Sequence, residues 1–327
     1  MVRTDSATTE AARVFQQVGF VAMGCECNLT VVAEPGESPA GVELLSRRAV
    51  ARVQDLDAKW SRFRADSEIS ELNRSTGRPV HVSSDTVALV RALVEAWRAT
   101  AGAFDPTLLP LLLAGGYARS RRNPELVTAL PAHVVAPGRP GDVVVFEETG
   151  DVVLPFGTTL DSGGLGKGLA ADWVAQQVMD GGAIGVLVDI GGDLRVMGRP
   201  PRGDAWRITL AADQSVVVLR DGGVATSCRL TRQQLGSGTA QRVPRLRHDL
   251  INPYLADASR NSVTTVSVVA GTAAWAEAMT KLPFVLGRTA GLSALNQRAV
   301  AASTWTDGVD DLPHCTSTWW NYLEVAQ

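Results

Sequence analysis

Four glycines and a lysine crowd the segment Asp161-Ser-Gly-Gly-Leu-Gly-Lys-Gly168, with glycine at 163, 164, 166 and 168. Glycines at a helix mouth let backbone N–H groups approach an anion closely, and the helix dipole favours negative charge there. Lys167, just inside, could neutralise a phosphate. The competing reading is an ordinary helix between two buried strands, its glycines serving tight turns. Gly191-Gly192-Asp193 ends the next apolar run and brings a carboxylate to a second glycine turn. Asp105 precedes Pro106, which keeps it out of the helical region and fixes its carboxylate at a turn. That suits hydrogen bonding to a sugar or base edge, and a turn cap is the alternative. His248 suits a general base, against the alternative of a core or turn histidine. Glu277 and Lys281 stand four apart on a helix predicted around 274–282 and so share a face, either as site residues or as an exposed ion pair.

These residues need elements to position them. Leu169, Ala170, Trp173, Val174 and Val178 fall at helical spacing and predict a helix over 167–179. The continuous apolar run 184–189 predicts a buried strand behind it. Further helices are predicted over 41–60 and 83–100, the second capped by Ser83 or Ser84. Ser67 caps a short one that turns Ile69 and Leu72 inward. Strands are predicted over 20–32, 206–210, 216–219, 223–227 and 263–269, and a hairpin over 143–154. Residues 1–14 are polar and expected to be loose, and 15–327 are expected to form a single domain. Strands and helices interleave without a strict βαβ rhythm, which predicts an α+β fold of mixed sheets with packed helices.

Composition excludes several classes. At 327 residues, 45% hydrophobic and 20% charged, the chain suits a globular protein with a sizeable core. A net charge of -3 gives no basic footprint for nucleic acid. No apolar run approaches the roughly 20 residues of a membrane span. The polar start predicts a cytoplasmic protein. Four cysteines give no disulfide framework, and Cys25 and Cys27 are expected as reduced thiols on one strand face.

In order along the chain, from Met23 to about Gly287, these motifs resemble those of the flavin transferases, the ApbE-type FAD:protein FMN transferases. The glycine turn is similar to that family's Asp-x-Gly-Gly-x-Ala-Lys-Gly, and Gly191 to Asp193 to its Gly-Gly-Asp. Met23-Gly24-Cys25 resembles Met-Gly-Thr, and Ser61 to Asn73 resembles Ser-x-Phe-x-x-x-Ser-Glu-Ile-Ser-x-Leu-Asn. Thr100 to Thr107 matches Thr-x-Gly-x-Phe-Asp-Pro-Thr. Gly223 to Ser227 resembles Ala-x-Ala-Thr-Ser, and His248 to Pro253 resembles His-x-Ile-Asp-Pro.

The resemblance implies a flavin transferase-like domain with its ligand between two lobes. It implies an enzyme that moves FMN from FAD to a serine or threonine hydroxyl of a flavoprotein carrying Asp-x-x-Ser/Thr-x-Ala-Thr, with AMP leaving. FAD would be held by Met23, Phe104, Asp105, Gly164, Lys167, Asp193, Thr226 and His248, with His248, Glu277 and Lys281 in catalysis. Mg²⁺ would be bound by Glu277 and Thr280.

The chain also departs from the family's pattern. Asn252 stands where an aspartate is usual. Glu277 takes the place of a metal-binding aspartate, and Lys281 that of a metal-binding threonine. An ammonium at 281 removes an oxygen ligand and adds positive charge, which predicts that Lys281 pairs with Glu277 and replaces Mg²⁺. Thr280, rotated about 100° around the helix, does not simply substitute. Two alternatives follow from the departures: a hydrolase giving FMN and AMP, and a non-catalytic FAD-binding protein.

Overall fold

The computed structural model describes residues 13–120, 122–229, 250–259, 261–306 and 313–324. Burial alternates along Val14–Ala22, and this strand pairs with Cys25–Ala33 in continuous antiparallel register, Val14 opposite Ala33 and Ala22 opposite Cys25. The two-residue connection, Met23-Gly24, has φ of 49° and 71°. Positive φ at both positions is what a hairpin turn matched to strand twist requires. The same device recurs at Gly191-Gly192, with φ of 66° and 99°, joining Gly185–Ile190 to Asp193–Gly198. The Gly191 N–H donates to the Glu26 carbonyl at 3.1 Å, so both turns lie at the same end of the sheet.

That sheet has eight strands, all antiparallel, and their spatial order follows the chain: Val14–Ala22, Cys25–Ala33, Gly185–Ile190, Asp193–Gly198, Gly222–Cys228, Val263–Ala270, Ala301–Thr306 and His314–Cys315. Helices and a small three-stranded sheet are inserted between neighbouring strands, the α+β arrangement expected from the sequence. The Val144–Phe146 and Asp151–Val153 strands form the expected hairpin and pair on with Pro79–His81.

Alternation divides the core. Val31 packs with the long helices on one face, while Val32 packs on the other against Trp206, Ile208, Val217 and Trp319. The first long helix, Pro39–Trp60, starts at Ser38, whose hydroxyl accepts from Gly41 N–H at 3.1 Å. It buries Val42, Ala49, Val53, Leu56 and Trp60 at helical spacing, Val42, Val53 and Leu56 each contributing roughly 1.5–3 kcal/mol. Ser67 caps Glu68–Arg74 as the spacing predicts. Ser83 sits at the cap position of Ser84–Ala99, but its hydroxyl donates to Glu68 Oε2 at 2.7 Å instead of capping the helix. Among the described residues no helix is long and apolar enough to cross a membrane.

Candidate active site

Two helices that cap each other form the site's frame. Gly166–Asp180 opens without a side-chain cap of its own. Its Gly168 N–H donates instead to Glu277 Oε2, at 2.8 Å, on the Ala273–Met279 helix. In return Asp172 accepts from the Ala273 and Ala274 N–H groups at 2.8 and 2.9 Å. Each helix mouth therefore holds the other's carboxylate, a favourable charge at the positive end of the dipole. The exchange demands close approach: a Cβ on Gly168 would stand 2.5 Å from the Ala273 carbonyl oxygen.

The second Glu277 oxygen meets the Lys167 ammonium, which also pairs with Asp193 Oδ2 at 2.8 Å. Side-chain exposure is 2% for Glu277, 7% for Asp193 and 25% for Lys167, so the lysine is the member that reaches outward. Burial works against its charge, but the two facing carboxylates outweigh that and hold its pKa above the ordinary lysine value. Burial first, and then the Glu277 charge, push Asp193 up to about 7 despite the lysine. One ammonium shared by two buried carboxylates leaves the second incompletely compensated. Burial likewise raises Asp172 to about 6. A hydrogen bond with Cys27, and after it the Lys167 charge, lower the Cys25 thiol. Cys25 and Cys27 are free and direct their sulfurs at the same Ala22 carbonyl.

The glycine turn itself is largely satisfied from within. Gly163 N–H donates to Asp161 Oδ1 at 3.0 Å, and Leu165 and Gly166 donate to the Ser162 carbonyl. With Gly168 held by Glu277, an anion at this turn meets the Lys167 ammonium rather than those four N–H groups.

Beside the turn lies a second cluster. Lys281 Nζ donates to Ser227 Oγ at 3.1 Å, to Thr280 Oγ1 at 3.1 Å and to the Glu277 main-chain oxygen at 3.0 Å. The two hydroxyls stand 2.7 Å apart. A Cβ on Gly164 would lie 3.6 Å from Lys281 Cε and 2.9 Å from the Phe104 ring, which places Phe104, Gly164 and Lys281 together.

Several expectations are corrected here. Lys281 does not pair with the Glu277 carboxylate, because Lys167 and Gly168 already take both of its oxygens. Lys281 reaches Glu277 only at its backbone. Thr280 does join the Lys281 cluster despite its rotation, because the lysine stem folds back and the helix breaks at this residue. Thr226 points away from the cluster and bonds Ser267 on the neighbouring strand at 2.9 Å. Alternation puts its neighbour Ser227, which the sequence reading passed over, on the site's face. For Asp105 the turn cap is realised: Oδ1 accepts from the Thr107 N–H and hydroxyl at 2.8 and 2.7 Å. Met23 occupies the positive-φ turn next to Cys25, whose sulfur lies against Gly191. Asn252 is buried at the end of the short Ile251–Asn252 strand, its side chain bonded to the Val285 carbonyl and the Tyr254 N–H at 3.0 Å each. His248 lies outside the described residues.

The fold and the site define an α+β protein with a buried charge cluster at a glycine-turn helix. The model of the ApbE family matches residues 23–304, and the chain belongs to that family. It is 25% identical over 285 residues to a FAD:protein FMN transferase of Haemophilus influenzae, covering 82% of this chain and 80% of that one. A FAD:protein FMN transferase of Vibrio cholerae is also 25% identical, with 87% and 86% covered. Among solved structures, the apo flavinyl transferase ApbE of Pseudomonas stutzeri superposes with a TM-score of 0.79 at 22% identity, covering 97% of this chain and 99% of that one. The ApbE protein of Thermotoga maritima gives 0.78 at 20% identity, with 95% and 100% covered. These two structures share the fold.

The residues present do not fit the Mg²⁺ that the family resemblance implied. Mg²⁺ needs free oxygen donors at about 2.1 Å in near-octahedral array. Both Glu277 carboxylate oxygens are committed, and the Thr280 hydroxyl faces the Lys281 ammonium. Among the described residues no group of three or more histidine, cysteine, aspartate or glutamate side chains is placed to hold a metal.

Proposed function

We propose that this chain transfers FMN from FAD to a serine or threonine hydroxyl of an acceptor flavoprotein and releases AMP. Membership of the ApbE family carries the reading, and the Lys167 ammonium beside the glycine turn supplies its chemistry. The acceptor oxygen bonds to the FMN phosphorus, the bridging P–O bond breaks, and its electrons leave with AMP. Such a step is catalysed mainly by positioning and by neutralising charge on the phosphoryl oxygens. Lys167, fixed by Asp193 and Glu277, holds pyrophosphate oxygens, and Phe104 and Met23 border the flavin side of the site. His248 is the base that takes the hydroxyl proton, a role supported by its motif His248-Asp-Leu-Ile-Asn-Pro253. Glu277 acts by orienting Lys167 and capping the helix, since both its oxygens are engaged.

The acceptor sequence is Asp-x-x-Ser/Thr-x-Ala-Thr. Incubating the protein with FAD and a peptide carrying that motif tests the proposal by the peptide's mass. A peptide heavier by one FMN group supports it. Unmodified peptide beside free FMN, or beside unchanged FAD, contradicts it. Replacing His248 with Ala should lower turnover by on the order of 10²–10⁴ while FAD binding changes far less.

A further inference from the structure

Three oxygens converge beside the glycine turn: Ser227 Oγ at the end of a strand, and Thr280 Oγ1 and the Glu277 carbonyl at the end of a helix. Hard neutral oxygens gathered in this way are a donor set for a small divalent cation. Lys281 Nζ sits at their focus, 3.0 to 3.1 Å from each. An ammonium carries three N–H donors and no acceptor, so it can donate to each of these three oxygens. A metal ion drawing the same oxygens to about 2.1 Å would have to expel the ammonium, and the two cations repel. The lysine stem runs along Gly164, so the charge stands next to the turn that Lys167 also serves.

We propose that Lys281 is a built-in cation that occupies the place of a divalent metal, so that the protein engages the FAD pyrophosphate through two fixed ammoniums without Mg²⁺. This rests on the reading that the pyrophosphate lies at the glycine turn.

Metal-stripped full-length protein, titrated with Mn²⁺ alone and followed by electron paramagnetic resonance, tests the cation site independently of FAD. FAD binding is then measured by fluorescence in EDTA and in Mg²⁺. Wild-type protein is expected to take up no stoichiometric Mn²⁺ and to bind FAD with affinities agreeing within about twofold in the two buffers. Lys281→Thr is expected to acquire a Mn²⁺ site and to bind FAD at least about tenfold more tightly with Mg²⁺ than with EDTA. Lys281→Met, which keeps the stem, is expected to weaken FAD binding in both buffers. Stoichiometric Mn²⁺ on the wild-type protein, or FAD binding that collapses in EDTA, overturns the proposal, and neither result depends on a variant folding. Failure to bind FAD in any buffer would contradict the proposed function instead, while the Mn²⁺ titration would still decide what fills the oxygen cluster.

Discussion

Lys167 is in the first place a structural ion. Removing it leaves Asp193 and Glu277 buried without their shared cation. Breaking a buried pair from one side costs about 3–5 kcal/mol, so Lys167→Ala should lose roughly that much stability in urea unfolding. FAD affinity should fall as well, by roughly 1–3 kcal/mol, the scale of a hydrogen bond to a charged group. Unchanged stability would remove the lysine from the cluster. Asp193 adds a pH dependence. Its folded pKa is raised to about 7, whereas an unfolded aspartate titrates near pH ~4. The native state therefore holds more protons across that window, and stability falls as pH rises through it. Asp193→Asn should flatten that slope between pH 5 and 8, whatever its offset. Protonating Asp193 also removes one negative charge from beside Lys167, so FAD should bind more tightly at pH 6 than at pH 8. Affinity that weakens on acidification would contradict this charge assignment.

The pair of mutually capped helices is the element that makes the site. Gly168 admits the Ala273 backbone at a distance no side chain allows. Gly168→Ala should cost about 1–3 kcal/mol by overpacking, and should weaken FAD binding because Lys167 moves with its helix. Thermal unfolding with and without FAD measures both. The helices themselves were legible: apolar spacing marks 167–179, and the structure extends that segment by one residue at each end. Their partnership was not. Glu277 and Lys281 read as an i,i+4 pair because spacing reports a shared face. Nothing local to 273–281 says that a glycine about a hundred residues earlier brings a competing ammonium to the carboxylate. Thr226 and Ser227 show the same limit at the strand. Alternation says they face opposite ways, but which one meets residue 280 depends on a sheet register that only the assembled fold supplies.

At the scale of the whole molecule, one end of the sheet gathers what the chain keeps far apart. The Met23-Gly24 and Gly191-Gly192 turns share that end, and Cys25 and Lys167 lie against the second of them. Sheet neighbours follow chain order, and the insertions divide between the two faces: the Gly166–Asp180 helix lies on the site's side, and the Trp206–Thr209 and Val216–Leu219 strands pack on the other. The order of motifs was visible in the sequence because each motif carries its own turn chemistry. Their convergence was not, because it comes from long-range pairing. Group transfer from FAD to a protein hydroxyl is the central proposal. Its most direct test is the stoichiometry of AMP release by the purified protein with FAD, with the motif-bearing acceptor peptide present or absent. AMP is expected only when the acceptor is present, in equal amount to the FMN bound to the peptide. AMP and free FMN formed at the same rate without acceptor would contradict it.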